Sequence, residues 1–204
     1  MTAEKIIEDH DVFVFDFEGV LYPEKDFLLQ IYYLFGQFVE YSEQLDAAAI
    51  LKYMQQVYLE EGHEGIFEKT AGHFGIDEKY KLNFDLLQRN VRLPLKLLIY
   101  DHCLAFLKAI VAAQKPVFLL VSGNPEAQLN KIRQVEWLGL EQYLTVYFTE
   151  EIETATGDHG MSYLIENHQL KGKKVLLAGH QDLNVEVVKE ANITFFAVDE
   201  IIVS

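Results

Sequence analysis

The sequence predicts an α/β protein: a doubly wound parallel sheet with an all-helical module inserted after the first strand. Three observations carry that expectation. Apolar runs of strand length, without polar alternation, occur at 12–16, 117–121, 145–149, 174–178 and 193–198, as expected of strands covered on both faces. From the second run onward they are separated by segments of helical length, and a repeated strand–helix order implies parallel strands joined by right-handed crossovers. Residues 22–115, between the first and second runs, hold no strand, repeat or low-complexity tract and are too many for one crossover.

Taken in order, the first run is VFVFD, ending on Asp16. The inserted stretch reads as helices at about 25–41, 44–60, 64–75, 78–90 and 95–114, broken at Gly62, at Gly75-Ile76-Asp77 and at Pro94. Its aromatic residues, Phe35, Phe67 and Phe84 among them, fall at helical spacing and are expected to fill the core of that module. Tyr22, at its edge, is the first candidate to shape a pocket. The division expected is a core of residues 1–21 and 95–204 and a helical module of residues 22–94. After the second strand, 124–138 opens on Asn124-Pro125, a capping residue followed by proline at the first helical position. Two more helices are expected at 159–169 and 182–191, the latter started by Asp182 or Asn184.

Composition narrows the function classes. Half of the 204 residues are hydrophobic, so the chain can bury a substantial core. A formal charge of −15 argues against nucleic acid, whose binding rests on Lys and Arg neutralising phosphates. A small anionic substrate would need a local cation to overcome the same field. No apolar run approaches the roughly 20 residues of a membrane helix, and the start, MTAEKIIEDH, has no signal-peptide core. A lone cysteine, Cys103, forms no internal disulfide and reads as a small buried hydrophobe on a helix, which suits a reducing cytoplasm.

In an open parallel sheet, ligands sit beyond the carboxyl ends of the strands. The residues there are Asp16-Phe17-Glu18-Gly19, Ser122-Gly123-Asn124, Thr149-Glu150-Glu151 and Gly179-His180-Gln181-Asp182. A carboxylate at the end of a rigid strand suits a nucleophile that must be held in line with its target.

These segments resemble the haloacid dehalogenase-like (HAD) superfamily of phosphatases and related hydrolases. The family's first motif, Asp-x-Asp-Gly-(Thr/Val)-Leu, reads here Asp16-Phe17-Glu18-Gly19-Val20-Leu21. The second, an apolar strand ending in Ser or Thr, reads VFLLVS and ends at Ser122. The fourth, Gly-Asp-x-x-x-Asp, reads Gly179-His180-Gln181-Asp182-Leu183-Asn184. A helical cap between the first two motifs is a known subclass. The resemblance implies a magnesium-dependent phosphatase acting on a small phosphorylated metabolite through an aspartyl-phosphate at Asp16. Glu18 is implied as the acid–base residue. Ser122, Gly123, Asn124 and His180 are implied to bind the phosphoryl group, and Asp16, Glu18 (through its carbonyl) and Asp182 to hold the metal.

The chain departs from the family pattern at charged positions. Glu18 stands for the second Asp, and His180 and Asn184 stand where acids are usual. No lysine occurs from 132 to 170, where the third motif's lysine belongs, which leaves Lys131, Arg89 or Arg92 to replace it. Two alternatives follow: a weak or inactive relative that keeps the fold for binding, and a dehalogenase-like hydrolase needing no magnesium, although an aromatic is usual there at the position of Glu18.

Overall fold

The computed structural model describes residues 2–179 and 192–197. The apolar runs are the strands: β1 (Val12–Phe15), β2 (Val117–Val121), β3 (Leu144–Phe148), β4 (Val175–Gly179) and β5 (Ile193–Ala197). They form one parallel sheet in the order β3-β2-β1-β4-β5. The chain therefore steps outward from β1 in one direction, then returns to lay β4 on its other side.

The chain falls into two compact units. One holds residues 1–23, 98–128 and 135–204; the other holds 24–97 and 129–134. In the α/β unit, α1 (Ala3–Asp9) precedes β1, and α6 (Asp101–Ala112), α7 (Pro125–Ile132, in this unit as far as Gln128), α8 (Thr149–Thr156) and α9 (Gly160–Asn167) follow in order. The central strand is buried at every position because both of its faces are covered. Phe13 and Phe15 meet Phe106 of α6 edge-on, with centroids 5.8 and 6.2 Å apart. Val12 and Val14 pack on the opposite face with Phe118, Leu120, Ile152 and Leu164. Cys103 is buried, as expected, and donates to the Val20 carbonyl at 3.3 Å.

The second unit is helical. It contains α2 (Glu24–Glu43), α3 (Ala47–Glu61), α4 (Ile66–Phe74), a 3-10 turn at Glu78–Tyr80 and α5 (Lys81–Asn90). Helix α3 starts where Asp46 accepts from the Ala48 and Ala49 amides at 2.8 and 3.1 Å, satisfying donors that a helix end leaves open. Phe35, Phe67 and Phe84 form a mutual edge-on and tilted cluster at 5.1–5.8 Å. Tyr33 and Tyr41 depart from the aromatic-core expectation, at 46% and 91% exposed. His63 is held between the Tyr32 hydroxyl at 2.9 Å and Gln88 Oε1 at 3.0 Å. Burial raises the Tyr32 hydroxyl pKa well above its ordinary value.

Several element boundaries differ from the sequence reading. The helix expected at 95–114 begins only at Asp101. The stretch before it carries Pro94, which disfavours helical backbone at Leu93, and its amides pair elsewhere: Leu97 with the Gln134 carbonyl and Tyr100 with the Leu21 carbonyl. The helix expected to reach 138 stops at Ile132, and Val135 and Trp137 are buried from non-helical backbone. Helices α1 and α8 were not anticipated. Helix α8 starts directly after β3 on Thr149-Glu150-Glu151, acids that the positive end of a helix favours. The helix expected at 182–191 lies outside the described residues.

Candidate active site

Asp16 follows directly from β1, and its amide donates to the Ala178 carbonyl of β4 at 2.9 Å. The strand order reverses between β1 and β4, so Asp16 stands at the switch point where an open α/β sheet leaves room for a ligand. Burial alternates over the next residues. Asp16 and Glu18 are half-buried, whereas Phe17 is fully buried against Tyr22 at 4.9 Å and Trp137 at 6.4 Å. Phe17 thus anchors the turn from the core side and leaves a carboxylate on each side of it in sequence. An Asp16 carboxylate oxygen accepts the Phe17 amide at 2.7 Å.

Gly19 has φ of 70°, a left-handed value that costs most residues about 1–2 kcal/mol. The turn closes through Gly19 N–H to the Tyr22 carbonyl at 3.0 Å and Leu21 N–H to the Phe17 carbonyl at 3.1 Å. It brings the Tyr22 hydroxyl back to donate to Glu18 Oε1 at 3.1 Å. Tyr22, anticipated as a pocket residue, is fully buried and serves Glu18 instead.

Phe15 pairs with Leu119 in parallel, so the turns after β1 and β2 leave the sheet at the same edge. Ser122 and Asn124 are exposed. Asn124 caps α7 by accepting the Ala127 amide at 3.0 Å. Gln128, one turn into α7 and buried, donates from Nε2 to Glu18 Oε2 at 2.6 Å and to the Ser122 carbonyl at 2.8 Å. Gly123, with φ of 97°, passes so close that a β-carbon there would lie 3.0 Å from that nitrogen.

The Gly123 amide, expected to face a phosphoryl oxygen, instead donates to Glu150 Oε1. Thr149 Oγ1 donates to the other oxygen of the same carboxylate at 3.1 Å. The chain's own anion therefore occupies part of the β2 turn. Of the cations considered as substitutes for the missing lysine, Lys131 sits over the Phe27 ring at 4.5 Å, both within the helical unit. Arg89 and Arg92 also belong to that unit.

The structure therefore brings Asp16 and Glu18 onto one turn and ties Glu18 to the Ser122 backbone. His180 and Asp182 lie outside the described residues. Among the described residues, no group of three or more His, Cys, Asp or Glu side chains is placed to hold a metal ion. The described hard donors are the Asp16 carboxylate and the Glu18 carbonyl, which suit magnesium in kind, since that ion commonly takes one or two carboxylates and completes its shell with water.

Two of the interacting residues were not singled out from the sequence. Gln128 is four residues past the Asn124 cap, the position whose side chain folds back over the chain entering a helix; a polar residue there was the available signal. Glu150 reads in the sequence only as a strand-end acid.

No known family profile matches the chain, and no curated protein is found as a relative. Similar folds do occur among solved structures. YfnB of Bacillus subtilis, assigned to the HAD hydrolases and solved bound to magnesium, superposes with a TM-score of 0.59 at 13% identity, over 91% of this chain and 85% of that one. A hydrolase from Streptococcus pneumoniae gives 0.51 at 15% identity, over 92% of both chains. A HAD family hydrolase from Deinococcus radiodurans, solved with phosphate and sodium, gives 0.50 at 14% identity, over 93% and 80%. The fold is the α/β fold of the HAD-like hydrolases. Among the described residues, no helix is long and apolar enough to cross a membrane.

Proposed function

We propose that this protein is a HAD-type hydrolase of phosphoric monoesters, acting on a small phosphorylated metabolite through Asp16. The observation that carries the reading is the placement of Asp16, half-buried at the switch point of the sheet with a second carboxylate two residues on.

An Asp16 carboxylate oxygen attacks phosphorus as the bond to the leaving oxygen breaks, and Glu18 gives that oxygen its proton. Water then attacks the aspartyl-phosphate, Glu18 takes a proton from it, and inorganic phosphate leaves with Asp16 restored. Such covalent catalysis divides one hard displacement into two easier ones. The Ser122 hydroxyl, exposed at the neighbouring strand end, donates to a phosphoryl oxygen. Asp16, the Glu18 carbonyl and Asp182 would hold a magnesium ion, which would supply positive charge against the phosphoryl oxygens.

The test is hydrolysis of an aryl phosphate with magnesium present, lost in Asp16→Asn. Crystals soaked with magnesium and beryllofluoride add a second readout: fluoride on the Asp16 carboxylate supports the reading.

One observation favours a second reading, a relative that binds without turnover: the Glu150 carboxylate on the Gly123 amide. Relief of that contact separates the two. Turnover that appears or rises in Glu150→Ala supports a self-restrained enzyme, and inactivity of both proteins supports the binding role.

A further inference from the structure

We propose that Gln128 is a positioning residue for Glu18, adapting the site to an acid one methylene longer than aspartate. The inference rests on the reading of Glu18 as the acid–base residue. Gln128 is 5% exposed, and its Nε2 stands 2.6 Å from Glu18 Oε2 and 2.8 Å from the Ser122 carbonyl. Both neighbours on that side are acceptors, so the amide must present its nitrogen to them. Turning it over would set the amide oxygen against a carbonyl and a carboxylate. The orientation has a cost: Gln128 Oε1 is buried and meets no donor among the described residues, and an unmet buried acceptor is destabilising. A glutamine serving packing alone would gain more from an apolar side chain of similar volume. What it secures is a strut from the β2 turn to the Glu18 carboxylate, whose other oxygen is held by Tyr22 at 3.1 Å. With a described donor on each oxygen, the extra rotatable bond of glutamate is restrained, and geometry is the first requirement of a general acid or base.

The experiment is Gln128→Met, close in volume and without the amide, measured on an aryl phosphate and on an alkyl phosphate with a poorer leaving group, and crystallised. A slack Glu18 hurts the ester that most needs a proton. The expected kcat loss is about 10–100-fold on the alkyl ester and smaller on the aryl ester, with KM within about twofold on both. The decisive comparison is kcat/KM, which reports the steps through leaving-group departure and not the water attack common to both esters: equal losses in it would overturn the proposal, because a merely structural role lowers both alike. The crystal structure decides independently of turnover: Glu18 displaced while Asp16 and Ser122 stay supports the strut, and an unmoved Glu18 overturns it. Inactivity of the wild type would therefore sink the hydrolase reading without hiding the answer here. Glu18→Asp is the second variant, with Gln128 left intact. It restores the family's usual residue but draws the carboxylate back from Nε2, so kcat on the alkyl ester is expected to fall, and a rise would count against the proposal.

Discussion

The turns after β1 and β2 are built alike and used differently. Each follows a fully buried strand, and each contains a glycine at positive φ, Gly19 at 70° and Gly123 at 97°. After β1, the turn is anchored by Phe17 and carries the half-buried carboxylate of Asp16. After β2, the turn leads into a helix whose start would ordinarily attract an anion, and the Gly123 amide already holds the Glu150 carboxylate. The difference teaches that a motif's backbone can persist while its electrostatics are turned inward. In the β2 turn, a carboxylate of the protein itself takes the amide expected to face a phosphoryl group.

The largest expected effect lies on the β1 side. Asp16→Asn should lower kcat/KM on an aryl phosphate by at least ~10³-fold while leaving thermal unfolding within a few degrees, which separates lost chemistry from lost fold. A comparable loss of stability would make Asp16 a structural residue and erase the contrast between the turns.

Next comes the shape of the β2 turn. Gly123→Ala places a β-carbon 3.0 Å from Gln128 Nε2 on backbone that L-residues avoid. It should destabilise the protein by about 1–2 kcal/mol and loosen Glu18. Chemical denaturation gives the first number, and the ratio of alkyl to aryl turnover gives the second.

Emptying the β2 turn sharpens the contrast directly. Glu150→Ala should tighten inhibition by inorganic phosphate or vanadate by about tenfold, which equals ~1.4 kcal/mol of binding. Unchanged inhibition would mean that Glu150 does not compete with the ligand, and that the two turns differ less than their hydrogen bonds suggest.

The smallest effect lies at the opposite end of the sheet. Asp11 accepts the Lys174 amide at 2.9 Å, and that bond first, with nearby lysines, holds its carboxyl below the usual range. A lowered carboxyl contributes stability above its unfolded pKa and loses it as pH falls through the folded value. Asp11→Asn should therefore cost only ~0.5 kcal/mol at pH 7 once solvent screening is allowed for. The difference from wild type should close as pH drops below the carboxylate range, as urea unfolding at several pH values would show.

Much of the architecture was legible because burial on two faces leaves a plain mark. Val12-Phe13-Val14-Phe15 and Val117–Val121 have no polar alternation, and each is a strand buried throughout. Local chemistry was legible where it acts at short range, as at Asn124-Pro125, which starts α7 where the cap and proline say it should. The 95–100 stretch misled because its apolar residues fit a helix as well as an extended chain. Its conformation is set by partners far away in sequence, Gln134 for Leu97 and Leu21 for Tyr100. Helix α8 escaped notice because Thr149-Glu150-Glu151 reads equally as a solvated loop.

The sequence by itself determined a parallel α/β sheet, a helical insertion after the first strand and a carboxylate at the end of that strand. Those features depend on hydrophobic runs, breakers and spacing, which act along the chain. Only the tertiary structure decided that Glu18 is gripped by Tyr22 and Gln128 and that Glu150 faces Gly123. The Gln128 and Glu150 contacts join groups 110 and 27 residues apart in sequence; folding alone brings such groups within hydrogen-bond reach.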